Sequence, residues 1–279
     1  MNTNETLLKR QRVWEIDAVR GLFILSMLCY HLYCCVDAFC IDGYYHIDSY
    51  NWVNTTDPLH FWFDWGKDGV IHRAFLTPQL TEIWIRAFVD GFFILSGISC
   101  MFSRNNLKRA LKVLAAGIFI ALFTKGLELW TGDPTRFIRF GVLLCYAFCQ
   151  LAYVYLFEKR SNKFLLISII PIFIIGYYLR YVGVPAMRYP IFYIFGVLQI
   201  GDQSSDFWPV FPMLGWFLLG VVLGRKYYPE KKTLIPSPLA EKLTRPLQWL
   251  GRWSGVIYVC HIVVYTAVFC GIGYIFGLI

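Results

Sequence analysis

RVWEIDAVRGLFILSMLCYHLYCCVD, residues Arg12 to Asp37, decides the fold. It is an apolar run long enough to enter a bilayer, yet it carries Asp17 and Arg20 at its head and His31 well inside. An ionisable group at membrane depth is costly and marks a working position unless a neighbour satisfies it. Asp17, Arg20, Ile24, Met27 and His31 step by 3, 4, 3 and 4 positions, so on a helix they share one face. From Arg20 to His31 is about 16 Å along a helix axis at the α-helical rise. One residue therefore serves the cytoplasmic mouth while the other reaches into the outer half. Asp17 lies one turn from Arg20, and the two read either as an interfacial ion pair or as the organiser of a substrate's charged end. His31 reads either as a hydrogen bond to a neighbouring helix or as a general base, the usual role of an imidazole near neutral pKa.

The rest of the chain has the same character. Of its 279 residues 57% are hydrophobic and 19% aromatic, which excludes an ordinary soluble domain and points to a polytopic membrane protein. The first run is too long for a signal-peptide core and lacks a small-x-small cleavage site, so it is read as a retained span. The net charge of +8 sits mostly in short connectors between apolar runs, where membrane orientation accounts for it better than nucleic-acid binding. Nearly all of the nine cysteines fall within or at the ends of apolar runs, so neither a disulfide framework nor a metal site is expected.

The expected fold is an all-α transmembrane bundle of seven to eight spans. Positive-inside asymmetry makes residues 1–16 a cytoplasmic N-terminal tail and 17–279 a single membrane domain. Residues 40–82 form an outer loop rich in aromatic residues and containing His46, His60 and His72, suited to a lid or to an interfacial connector. The second span, Trp84–Met101, delivers the basic stretch Arg104–Arg109 to the cytoplasm. Spans follow over Leu111–Leu129, Phe140–Phe157 and Phe164–Tyr181. The run Pro190–Ile200 is too short to cross a bilayer, so 190–206 is read as re-entrant or lying on the outer surface. The sixth span, 207–223, is expected to break near Pro209 and Pro212. Residues 224–252 are expected as a basic cytoplasmic loop, and Trp253–Phe276 closes the bundle.

Four stretches, in order, carry a family resemblance: RVWEIDAVRGLFILSMLCYH (12–31), IRAFVDGFFILSGISCMFSRNNLKRALKV (85–113), DFWPVFPMLGWFLLGVVLGRKYY (206–228) and LGRWSGVIYVCHIVVY (250–265). Together they resemble the heparan-alpha-glucosaminide N-acetyltransferase catalytic-domain family, a set of multi-pass acetyltransferases with small bacterial members. The spacing of Arg20 and His31 is also similar to the first helix of the membrane acyltransferase family three. The resemblance covers almost the whole chain. It implies transfer of an acetyl or other acyl group from a cytoplasmic coenzyme A thioester, acetyl-CoA, to an amine or hydroxyl of a sugar or lipid-linked acceptor beyond the outer face. Arg20, His31, Arg86 and His261 match marked polar positions of the bacterial members, and Asp17 belongs to the same opening motif. The chain departs from the pattern at Leu144, where relatives often carry His or Gln. It departs again at Cys35, where they commonly carry an acid and where this chain has its acid at Asp37. The outer-loop histidine of the eukaryotic enzyme has only His72 nearby.

Acyl transfer from a thioester needs a base for the acceptor, a group to stabilise the oxyanion, and alignment of the two substrates. On this reading His31, Arg20, Asp17 and His261 form the catalytic set. Arg86, Asp90 and His72 face the acceptor, although Arg86 and Asp90, one turn apart, also read as a mutual pair. Arg104, Lys108 and Arg109 meet the coenzyme's phosphates or serve only as topogenic charge. The lipid bilayer is a partner, a homodimer is compatible with the reading, and a bacterial plasma membrane is the expected location. Two other classes compete. One is a proton-coupled small-molecule transporter, against which stands the lack of a repeat pairing two broken helices. The other is a binding subunit that keeps the scaffold without turnover, a reading that Leu144 supports.

Overall fold

The protein is described from a computed structural model in which residues 13–40, 78–132, 137–179, 190–197 and 206–275 are defined. Among these the architecture is all-helical, with no strand. The longer helices are α1 (Trp14–Cys40), α2 (Pro78–Ser99, running on into a 3-10 turn at Cys100–Phe102) and α3 (Asn106–Thr131). After them come α4 (Val142–Ala152, continued by a π-helical turn at Tyr153–Phe157), α5 (Asn162–Tyr177) and α6 (Val210–Tyr227). The last two are the short α7 (Pro238–Leu243) and the long α8 (Arg245–Ile275).

Local chemistry sets several of these ends. The Asn105 side chain accepts the Lys108 N–H at 2.8 Å and starts α3, and Gly132 stops it in the left-handed region at φ 72°. Ser161 caps α5 by accepting the Phe164 N–H at 3.3 Å. The expected break at the start of the sixth span is present, because Phe211 has non-helical dihedrals within α6. The Pro209 carbonyl, at the head of α6, accepts the Cys145 thiol at 3.4 Å.

Three described segments are long and apolar enough to cross a membrane: Ile83–Phe102, Asn106–Leu129 and Val210–Tyr227. The two arms of α8, Arg245–His261 and Val263–Phe269, meet at a 54° bend and supply a fourth if they form one span. Val142–Phe157 and Asn162–Tyr177 are apolar but shorter than the about 20 residues a perpendicular crossing needs. Pro190–Phe195 is a short 3-10 helix. The last helix begins at Arg245 rather than Trp253, so the segment expected as a loop over 224–252 contains α7 and the first turns of α8. Residues 1–12, 41–77, 133–136, 180–189, 198–205 and 276–279 lie outside the described residues, and with them most of the segment expected as an outer loop over 40–82, His72 included, whereas α2 already begins at Pro78.

The chain groups into two compact units, one formed by Met1–Ile16 with Asp90–Ser237 and the other by Asp17–Val89 with Pro238–Ile279. In the first, the C-terminal half of α2 and α6 approach through glycines. A methyl group at Gly97 would collide with the Phe217 carbonyl, and one at Gly220 with the Ile94 carbonyl. Phe93, Phe217, Leu218, Met213 and Cys145 fill the buried centre beside them. Arg225, in the last turn of α6, gathers the turn between α4 and α5. It donates to the carbonyls of Glu158 at 2.7 Å and Arg160 at 2.6 Å, and to Asn162 Oδ1 at 3.3 Å. The buried Glu15 carboxylate accepts the Leu234 N–H and the Thr233 hydroxyl, each at 2.7 Å. Asp206 caps α4 from outside the helix, accepting the Val142 N–H at 3.3 Å where Gly141 has no side chain to do so. Burial pushes the Asp206 carboxyl up to about 6.

In the second unit α1 and α8 cross at two facing glycines. A methyl group at Gly21 would strike the Leu247 carbonyl, and one at Gly251 the Asp17 carbonyl. Only residues without side chains allow backbones so close. The N-terminal half of α2 packs alongside α1, with Phe23 edge-on to Phe88 at 5.4 Å and the Trp84 indole N–H donating to Ser26 Oγ at 3.0 Å.

Candidate active site

The glycine crossing determines what meets farther along the second unit. His31 stands ten residues after Gly21 on α1, and His261 stands ten residues after Gly251 on α8. Two helices that cross at those glycines and run the same way bring these positions level, because each has risen about 15 Å from the crossing. The imidazoles touch. His261 Nε2 lies 2.8 Å from His31 Nδ1, with ring centroids 4.7 Å apart and ring planes 26° apart.

The neighbours of the pair fix its orientation. His261 is buried, and its Nδ1 lies 2.6 Å from the Tyr258 carbonyl oxygen one turn back on its own helix. The bend in α8 falls at position 262, whose N–H would take that same carbonyl in a straight helix. His31 Nδ1 also lies 2.9 Å from the Met27 thioether sulfur. Tyr265 stands edge-on to His261 at 5.9 Å and donates its hydroxyl to the Leu28 carbonyl at 3.1 Å, fastening α8 to α1 next to the two rings. The other ring nitrogen of His31, Nε2, has no protein hydrogen-bond partner among the described residues.

At the other end of the same face Arg20 donates to Asp17 Oδ1 at 2.8 Å, with side chains 21% and 16% exposed. The stripe expected from the sequence is therefore a helix face with an ion pair at its head and an imidazole pair at its far end. Arg86 and Asp90 stand one turn apart on α2.

The basic stretch before α3 behaves differently. Arg104 and Lys108 are exposed, whereas Arg109 turns inward and donates to the Tyr146 hydroxyl at 2.5 Å, its guanidinium lying over the Tyr146 ring. Arg104 stands just before α3, and the successive helical positions 108 and 109 point about 100° apart, so Lys108 and Arg109 face different surroundings. Leu144, the departure from the family pattern, packs its isobutyl group against Gly117 of α3, so an apolar helix contact occupies the position. The side chains of Cys35 and Asp37 lie outside the described residues, as does His72. Among the described residues no group of three or more His, Cys, Asp or Glu side chains comes together to hold a metal.

The sequence reading does not single out Tyr258, Gly21 or Gly251, and it uses Met27 only as a phase marker. The equal ten-residue interval from glycine to histidine in both helices is a signal for the contact. The Tyr258 carbonyl leaves none, since any residue supplies a carbonyl.

An imidazole with one nitrogen engaged and the other open, backed by a second imidazole, is equipped to take a proton from a group placed beside it. Residues 58–263 match the family described as heparan-alpha-glucosaminide N-acetyltransferase, catalytic. The match takes in Arg86 and His261 and begins after α1. No curated protein and no solved structure matches the chain.

Proposed function

The chain belongs to the heparan-alpha-glucosaminide N-acetyltransferase catalytic-domain family, and on that premise we propose that it moves an acetyl group from acetyl-CoA to an amine or hydroxyl of a sugar or lipid-linked acceptor. His31 is the general base. Its open ring nitrogen takes the proton from the acceptor's N–H or O–H as that atom attacks the thioester carbonyl. The carbon–sulfur bond then breaks, the acetyl group stays on the acceptor, and the coenzyme leaves as a thiolate that takes up a proton.

Arg20, held by Asp17, receives the charged end of the donor near the head of α1. Arg104 and Lys108, exposed at the start of α3, add positive charge for the phosphates, while Arg86 and Asp90 on α2 and His72 bind the acceptor. The protein would lie in a bacterial plasma membrane with seven to eight spans and its N-terminus in the cytoplasm, so that donor and acceptor arrive from opposite faces. A homodimer is compatible with this arrangement.

The observation that carries the reading is the contact of His31 with His261 in a chain of an acetyltransferase family. Purified protein given acetyl-CoA and an amino-sugar or glycan acceptor should release free coenzyme A only when the acceptor is present, and the acceptor should gain one acetyl mass. Accumulation of unmodified acceptor inside sealed vesicles, with no acetylated product, would favour a transporter and overturn the proposal.

A further inference from the structure

We propose that His261 is a positioning residue that holds His31 in its Nδ1–H tautomer, leaving Nε2 as the one ring nitrogen of His31 able to accept a proton. The inference rests on the reading of His31 as the base and follows from which atoms can donate. A carbonyl oxygen only accepts, so the 2.6 Å contact of His261 Nδ1 with the Tyr258 carbonyl places a proton on that nitrogen. A neutral His261 then has its lone pair on Nε2. His31 Nδ1 lies 2.8 Å from that lone pair and 2.9 Å from the Met27 sulfur, which also can only accept. Both neighbours therefore require a proton on His31 Nδ1. Neutral imidazole carries one ring proton, so Nε2 is bare, and it is the nitrogen without a protein partner among the described residues.

The chain of atoms runs in one direction, from His31 Nδ1–H to His261 Nε2 and from His261 Nδ1–H to the Tyr258 carbonyl. It has the form of a base held by an orienting partner, with a second imidazole and a main-chain carbonyl where a carboxylate often stands. When Nε2 takes a proton, the resulting imidazolium still donates through Nδ1 to His261. The positive charge thus forms against an acceptor already in place, and nothing needs to reorient.

The test reads the tautomer itself, so its outcome does not depend on acetyl transfer. Protein labelled with 15N-histidine is studied by NMR at pH 8 in detergent, the His31 signals being identified by their loss in His31→Ala. The expected result is a protonated Nδ1 and an unprotonated Nε2 on His31. The same pattern is expected in His261→Gln, whose amide oxygen supplies an acceptor near the position of Nε2. In His261→Leu, where only the weak thioether remains, His31 should shift to the Nε2–H form. A protonated Nε2 in the unsubstituted protein overturns the proposal, and so does a His31 pattern unchanged in His261→Leu. Should the leucine variant fail to fold, the unsubstituted protein and the glutamine variant still decide the matter. The Nδ1–H form in a protein that transfers no acetyl group would uphold this inference and count against the function.

Discussion

His31 and His261 are separated by 230 residues in the chain and by 2.8 Å in space. The helices that carry them meet first at Gly21 and Gly251, and the histidines coincide because each lies the same distance beyond its glycine. A bare backbone contact near one end of two helices thereby sets a side-chain contact about 15 Å away.

That dependence predicts opposite outcomes for two glycines of the same helix. Gly251→Ala forces a methyl group into the Asp17 carbonyl and should destabilise the protein by about 1–3 kcal/mol, as overpacking does. Gly255→Ala meets nothing within 4 Å and should leave stability unchanged or raise it by up to about 1 kcal/mol, the helix-propensity difference. Thermal unfolding in detergent reads both. Equal melting temperatures for the two variants would contradict the crossing.

Arg225 gathers the carbonyls of Glu158 and Arg160 with the side chain of Asn162. Its replacement by alanine removes charge-assisted bonds and leaves those carbonyls to find water, so a loss of about 2–4 kcal/mol is expected. The adjacent Lys226→Ala should stay within about 0.5 kcal/mol. Denaturation of the two variants side by side separates a held turn from simple surface charge.

Asp206 gives a pH dependence whose sign follows from burial. Its carboxyl rises from an ordinary 3.8 to about 6, so the folded state holds the proton more tightly than the unfolded chain. Its contribution is complete below about 4 and is lost as pH climbs through about 6, amounting to about 3 kcal/mol. Asp206→Asn keeps an acceptor for Val142 N–H and cannot ionise. The stability difference, variant minus unsubstituted protein, should therefore grow between pH 4 and pH 6 and level off above. A difference that stays flat across that window would place the carboxylate in water.

Arg20→Gln should raise KM for acetyl-CoA about 10-fold or more, the loss of one charge-assisted contact, while kcat changes little. Arg109→Gln should act instead on stability, because its guanidinium is engaged with Tyr146. A KM that moves with Arg109 and not with Arg20 would reassign the donor's end.

Much of this was legible in the residues. The step pattern of Asp17, Arg20, Met27 and His31 placed them on one helix face, and the ion pair and the sulfur–imidazole contact are the local results. The break before α6 could be read from Pro209 and Pro212, and the helical class from composition. The partner of His31 could not be read, since helical phase says which face a residue occupies but not which distant helix covers it. The inward turn of Arg109 is hidden from the sequence for a related reason. A run of cations suggests one basic surface, yet each position turns about 100° from the last, and tertiary packing claimed one of them for Tyr146. The start of α8 was placed late because Arg245 and Arg252 suggested a loop, whereas Gly251 between them lies inside the helix contact.

The central claim is that His31 removes the acceptor's proton. Its most direct test is acceptor-dependent release of coenzyme A from acetyl-CoA by purified His31→Ala, compared with the unsubstituted protein at matched folding. Turnover should fall by about 100-fold or more, within the range that a positioned base contributes. Undiminished turnover in a folded His31→Ala protein would contradict the account.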